Sequence, residues 1–442
     1  MNITIKKFDQ EIEIIDKYLL VFIGLIPIFL AVSIFMADLF GSIAGIILIY
    51  IFLKKDATFL KPIKKEIFLM ILFYLIILIS LFLSNFFENS FLASFFYFRY
   101  FLVSLSIFYL LNKYEFIGQI FLYIILGTIL VVIFDSIYQF FNGSNLLGYP
   151  HPIEYKSTSS QMGYLTGFFD QEKKLGSYLV RFLPLILALV HLYDKEKYTH
   201  LNKYILLIVG VIVFNASERT ALFLYFFFLC SYLLVNKNKL ISILICFSII
   251  LSLFTFNPMF KKKYIDLTLN QMELVQTRHY NTGTIRYISR EHEDLMFTAL
   301  MNFKNNVLFG GGVKTFYAQC KELKKKYLRD DINKNKKRNK LVCSTHPHST
   351  YFQLLSDIGI FGFLIFFYFL CYIISTFYKI LFKVKKKEQF VISYYYINLG
   401  MLISIFPLIP SGSIFNNWIC LVTSCTFGFW LFIKKKVKHE NL

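Results

Sequence analysis

Apolar runs of membrane-crossing length recur from one end of this chain to the other, and they restrict what it can fold into more than anything else in the sequence. They can be placed near 18–36, 39–53, 67–84, 92–111, 116–140, 177–193, 204–216, 220–235, 240–256, 356–383, 390–406 and 417–433. A hydrocarbon core of about 30 Å takes ~20 helical residues to cross, and a helix satisfies its own backbone there. The expected fold is an all-α polytopic membrane protein with about twelve transmembrane helices. With 57% hydrophobic residues in 442, the chain has far more apolar surface than a soluble core could bury. The first residues, MNITIKKFDQEIEIIDK, lack a small-residue cleavage site, so the first span reads as retained.

Charge fixes an orientation. Lysines cluster after even-numbered spans, as at Lys54, Lys55, Lys61, Lys64 and Lys65, and again at Lys434, Lys435 and Lys436. Short loops rich in lysine stay in the cytoplasm, so both termini are expected there and the odd-numbered loops outside. Two outward segments are long, 142–176 and 257–349. The second is basic, with eighteen Lys and Arg against eight Asp and Glu; long loops translocate largely regardless of charge. The formal charge of +20 thus points to membrane lipids and an anionic lipid substrate, with no nucleic acid partner. The chain divides into spans one to nine (1–256), a large outer loop (257–349) and spans ten to twelve with a tail (350–442).

On that topology the ionisable residues inside or beside spans share the outer side: Arg99 in span four, Asp135 in span five, Arg181 in span six, and Arg219 in the SERT turn between spans seven and eight. An intramembrane arginine costs ~2.5–3.5 kcal/mol on insertion scales, so it persists when paired or functional. Asp135 could pair with Arg99 or Arg181 and merely hold helices together. Equally, converging guanidinium forks suit a diphosphate. For the outward Arg219 the functional reading is preferred.

Within the large loop, 290–316 reads as an amphipathic helix, with Leu295, Met296, Ala299, Leu300 and Phe303 at helical spacing, ended by Gly310, Gly311 and Gly312. Three glycines can cradle phosphate, but with no Lys-Ser/Thr after them this is no P-loop and a plain turn is expected. Cys320 and Cys343 alone lie in soluble segments, both in this loop, and an oxidising compartment would bridge them. The other five cysteines lie within spans and read as small apolar residues. The loop re-enters the membrane through CSTHPHSTYFQLLSDIGIFGFLIFFYF, where His346 and His348 sit at the boundary between two solvents. Acid–base or substrate contact is favoured for them over a cap or a metal site, since no compact ligand set accompanies the pair.

That stretch resembles the ligases and polymerases of the O-antigen family. Their ligase-type signature is His, then Asn, Ser or Gln, nine residues, Gly, two residues, and Gly, Thr or Tyr; His348, Ser349, Gly359 and Gly362 match it. Segments 167–184, 216–224 and the stretch before CSTHPHSTY are similar to the same family, with Val307 where its members usually carry Pro. The resemblance implies a GT-C-like membrane glycosyltransferase of the bacterial inner membrane, with its active site on the periplasmic side and its large loop between spans nine and ten. It implies an undecaprenyl-diphosphate-linked glycan as donor and, for a ligase, a lipid A core hydroxyl as acceptor, without cofactor or metal. His348 would be the base, with Arg219 and either Arg290 or Arg286 on the diphosphate. His346, Arg99, Arg181 and Asp135 would help position substrate. The ligase reading leads; the alternatives are an O-antigen polymerase and, less favoured, a protein O-oligosaccharyltransferase. A transporter fits twelve helices but not a 93-residue outer loop carrying a histidine motif.

Overall fold

The computed structural model describes residues 12–54, 57–157, 160–193, 199–235, 261–272, 287–330, 341–383, 389–407 and 409–439. The described residues are helical almost throughout. Its helices are α1 (Ile14–Val32), α2 (Ile34–Lys54), α3 (Lys64–Leu83), the short α4 (Phe87–Phe95), α5 (Phe98–Lys113), α6 (Ile117–Asn142), α7 (Leu175–Tyr193), α8 (Thr199–Asn215) and α9 (Arg219–Val235). They continue with α10 (Leu267–Gln271), α11 (Arg290–Asn305), α12 (Phe316–Asp330), α13 (Thr350–Lys383), α14 (Gln389–Ser404) and α15 (Asn417–His439). An antiparallel hairpin, β1 (Ile153–Ser157) and β2 (Ser160–Gly163), stands in the segment between α6 and α7. Eight helical stretches among the described residues are long and apolar enough to cross a membrane, and the shorter α8 and α9 are also apolar. This is an all-α polytopic membrane protein. Eleven of the twelve expected spans coincide with described helices; the ninth, 240–256, lies outside the described residues.

The bundle is built around α7, in which nearly every side chain is buried. It packs chiefly on α14, with α6, α8 and α9 also against it; α1 pairs with α2, and α5 with α15. Polar contacts fix both ends of this apolar bundle. At one end Lys113 of α5 bonds the fully buried Asp16 of α1 at 2.5 Å, and Tyr114 donates to the same carboxylate at 2.9 Å. At the other, Arg99 of α5 grips Asp38 of α2 through two bonds of 3.0 Å each, and Asn417 of α15 donates to Asp38 at 3.1 Å. Asp135, which could have paired with Arg99 or Arg181, pairs with no arginine among the described residues. It accepts the Leu146 amide at 2.9 Å and so pins the loop that follows its own helix.

Span ten begins earlier than its apolar composition suggests, at Thr350, and it is broken at Gly359, whose φ of 68° and ψ of −167° are not helical. The break frees two carbonyls, and the loop glycines take them. Gly311 N–H donates to Ser356 O and Gly312 N–H to Asp357 O, each at 2.9 Å, while Ile360 N–H returns a bond to Val307 O at 2.8 Å. The GGG run is therefore a docking turn whose amides are spent on backbone, not a phosphate cradle.

Cys320 and Cys343 form a disulfide, Cα to Cα 5.6 Å, tying α12 to the strand of chain that leads into the histidines. With a sequence separation of 23, loop closure contributes about 3 kcal/mol in the chain-entropy model. Thiol labelling of native membranes should miss both cysteines until a reductant is added; labelling either without reductant would sink this pairing in the mature protein. Of the span cysteines, Cys420 and Cys425 are buried, but Cys230 and Cys371 are exposed on the bundle surface rather than packed inside. Cys246 lies outside the described residues.

Candidate active site

Ser349 accepts the amide of Gln353 at 2.9 Å, at the start of α13, and the residue before it is held in an unusual backbone. His348 has φ of 51°, the left-handed region that non-glycine residues seldom enter. The segment between α14 and α15 holds it there. Ser411 N–H donates to His348 O at 2.9 Å, and Thr350 N–H donates to Ser411 Oγ at 3.1 Å. One turn further, Gln353 bonds Ser413 Oγ at 2.9 Å and receives the Ile414 amide at 3.2 Å. The run PSGSIFNN between two apolar spans carried the only hint of this in the sequence, a cluster of turn-forming residues.

Three imidazoles meet at this turn. The rings of His346 and His348 lie 4.1 Å apart, and His292 of α11 approaches His348 edge-on at 5.6 Å. His292 is oriented by Ser289, the residue capping α11: the Ser289 Oγ to His292 Nδ1 separation is 2.6 Å. Burial lowers the proton affinity of all three below the usual histidine range. His346 is pushed down to about 4, first by burial and then by the neighbouring His348, the Ser411 backbone opposing weakly. His292 feels burial first, then His348, with Glu291 opposing and the positive charge of Arg219 adding to the shift. All three are accordingly neutral at pH 7. Among the described residues, no three His, Cys, Asp or Glu side chains gather as a metal would require.

The charge of Arg219 thus reaches His292 of this cluster although 73 positions separate the two. Arg219 opens α9, exposed, with Nη1 donating to Thr268 at 3.1 Å. Two features present it. Ser217 takes a left-handed φ of 63°, turning the chain sharply. Glu218 then turns inward and caps α7, accepting Gly176 N–H at 2.7 Å, Ser177 N–H at 3.2 Å and the Ser177 hydroxyl at 2.7 Å. A carboxylate suits the positive end of a helix. Thr220 donates to Pro410 O at 3.3 Å, so the segment that anchors His348 also anchors the arginine turn.

The other expected residues divide. Arg290 is exposed at the first position of α11, two residues from His292. Arg286 lies outside the described residues. Arg181 is buried in α7 one turn beyond Ser177, 5.9 Å above the Trp418 ring, with Nη1 on Ser177 O at 3.2 Å and Nε without a partner among the described residues. Arg99 is committed to Asp38, and Asp135 to the loop after α6. Sequence reasoning missed His292, Glu218 and Asp38. Beneath the turn an apolar cavity of about 160 Å³ opens between α3, α5, α13, α14 and α15. Arg181, Thr350 and Ser411 line its end nearest the histidines, and Phe73, Phe366 and Trp430 line its walls.

No curated protein matches the chain. Residues 204–367 match the family model described as O-antigen ligase, an interval that contains Arg219, α11, the glycine turn, both loop cysteines, His348 and the break at Gly359. Residues 204–367 thus match an O-antigen ligase domain set within a multi-pass membrane protein, and the match supports the O-antigen ligase and polymerase superfamily.

Proposed function

We propose that the chain is an O-antigen ligase of the bacterial inner membrane. It transfers a glycan from undecaprenyl diphosphate to a lipid A core hydroxyl at a site facing the periplasm. The observation that carries the reading is that one segment, 409–416, bonds both the turn that presents Arg219 and the backbone of His348. That juxtaposition suits a reaction needing a cation for a diphosphate and a base for a hydroxyl.

In the reaction, the acceptor oxygen attacks the anomeric carbon of the donor. A new C–O bond forms, the anomeric C–O bond to phosphate breaks, and the diphosphate lipid leaves with the bonding electrons. His348 accepts the hydroxyl proton; it is neutral at pH 7, as a base must be. Arg219 and Arg290 balance the charge that grows on the diphosphate. Arg286 is the alternative to Arg290 for that role. His292 and His346 pack the base on two sides and keep water from it. The apolar cavity beside Arg181 gives the prenyl chain a place near the turn. Large outward segments 142–176 and 257–349 then frame the site on the periplasmic side, between spans 1–256 and 350–442.

An O-antigen polymerase uses a similar donor and adds it to another lipid-linked glycan. The surface glycolipids of a deletion strain separate the two. Free core with accumulated lipid-linked polymer is the expected result. Core capped by a single unit would instead mean a polymerase, and an unchanged profile would remove both. Modified protein in place of lipid would point to a protein O-oligosaccharyltransferase.

A further inference from the structure

We propose that Lys314 is a substrate-binding cation of this site, whose ammonium takes a phosphate of the lipid-linked donor at the mouth of the apolar cavity. The inference rests on the donor reading above and adds a residue to it.

The backbone at Lys314 is made for glycine. Its φ is 60°, it follows Gly312 and Val313 in the docking turn, and its neighbours Val313 and Thr315 are almost fully buried. A lysine held in that conformation carries strain that a glycine would not, so the side chain is the reason for its presence. Its position is closely determined. The Lys314 amide donates to Asp357 Oδ2 at 3.3 Å, and the same carboxylate oxygen accepts Gln353 Nε2 at 3.0 Å. Gln353 in turn holds Ser413, two residues beyond the Ser411 that fixes His348. Lys314 is therefore tied by two side chains to the scaffold of the histidine turn.

Its charge has nowhere to go within the described residues that surround it. The side chain is exposed, and the groups in its field are Cys420, Arg99 and Asp38. Both oxygens of Asp38 are already occupied, Oδ1 by Arg99 Nε and Oδ2 by Arg99 Nη2 and Asn417. Burial of the lysine stem, first, and the Arg99 charge lower its proton affinity, while Cys420 and Asp38 oppose. Cys420 and Tyr100, the latter stacked under Arg99 at 4.6 Å, both line the cavity, as does Arg181. One carboxylate, Asp38, thus lies in the field of two cations, and Cys420, in the field of Lys314 as well, lines the cavity. A phosphate is the group that fits: it pairs with the ammonium, and its lipid chain fills the slot below.

The test uses the purified full chain in nanodiscs and compares binding of undecaprenyl diphosphate with binding of undecaprenol. Lys314→Gly suits the backbone, so it keeps or raises the melting temperature. It should weaken undecaprenyl diphosphate binding about tenfold, as expected for a charge-assisted bond, and leave undecaprenol binding unchanged. Lys314→Arg should restore binding to within about threefold. Free pyrophosphate should compete poorly because it lacks the chain; competition equal to the lipid would overturn the cavity part of the assignment. If the wild type prefers the diphosphate but Lys314→Gly binds it as tightly, Lys314 only shapes the turn and the proposal fails alone. A wild type that does not distinguish the two lipids would instead bring down the donor reading, and Lys314 with it.

Discussion

Replacing His348 with alanine should lower glycan transfer ~10²–10⁴-fold, the range for loss of a general base, with protein abundance and donor binding near normal. The left-handed φ of 51° complicates that single variant, because alanine is strained there as well. His348→Asn separates the effects. Asparagine tolerates the left-handed region but cannot take a proton near neutrality. Both variants should therefore lose turnover alike, although only alanine adds strain to the turn. Arg219→Ala should differ in kind by weakening donor binding too, since a phosphate-paired guanidinium acts in the ground state. The pH dependence has a definite sign. Burial lowers the proton affinity of His348, so the imidazole is neutral above its depressed pKa and charged below it. Transfer should rise with pH along an acid limb whose midpoint lies below 6.5, and that limb should be absent from the residual activity of His348→Asn. Transfer in purified membranes with a lipid-linked donor and core acceptor measures all of this. Full activity in His348→Asn would return the motif to a structural role.

What could be read in advance follows from how far each signal reaches along the chain. Span placement needs only local hydropathy, and it located helices from α1 to α15. Arg219 and the His348 motif were visible because each stands out against its own surroundings: a charge at a tight turn, a histidine pair at a solvent boundary. Partnerships were not visible. Arg99 finds Asp38 across 61 positions, and Ser411 finds His348 across 63. No periodicity encodes either. Glu218 was hidden by its famous-looking neighbour in the SERT turn, yet it is the side chain that fastens that turn to α7. His292 looked like one polar residue of an amphipathic helix, and only the fold brings it beside His348. The GGG run shows the same limit from the other side. Its glycines suggested a turn, but the reason for three in succession is a second backbone arriving from α13, 45 residues later.

That meeting of backbones makes Gly359→Ala the most damaging small substitution expected in the chain. A Cβ at Gly359 would lie 2.3 Å from Leu308 O, 2.4 Å from Leu308 C and 2.5 Å from Phe309 N, all backbone atoms. None of them can swing aside as a side chain would. The φ of 68° adds the left-handed penalty of an L-residue, ~1–2 kcal/mol. Overpacking adds typically ~1–3 kcal/mol more. A combined cost of about 3 kcal/mol is a large fraction of the ~5–15 kcal/mol that holds a typical folded protein together. The damage is also local to the site. The Gly311 and Gly312 bonds to Ser356 and Asp357 would open, loosening Lys314, the start of α13 and the His348 turn together. Gly362→Ala is the informative contrast, because its nearest obstacles at 2.3 and 2.5 Å are atoms of the Ile358 side chain, which can repack. Gly127→Ala, with nothing within 4 Å, should be neutral or slightly stabilising in α6. Membrane abundance and thermal midpoint should rank Gly127→Ala at or above wild type, Gly362→Ala below it, and Gly359→Ala far below both, with transfer lost in step. A Gly359→Ala protein that matches wild type in midpoint and transfer would mean that the turn and the helix break do not dock as the hydrogen bonds between them require.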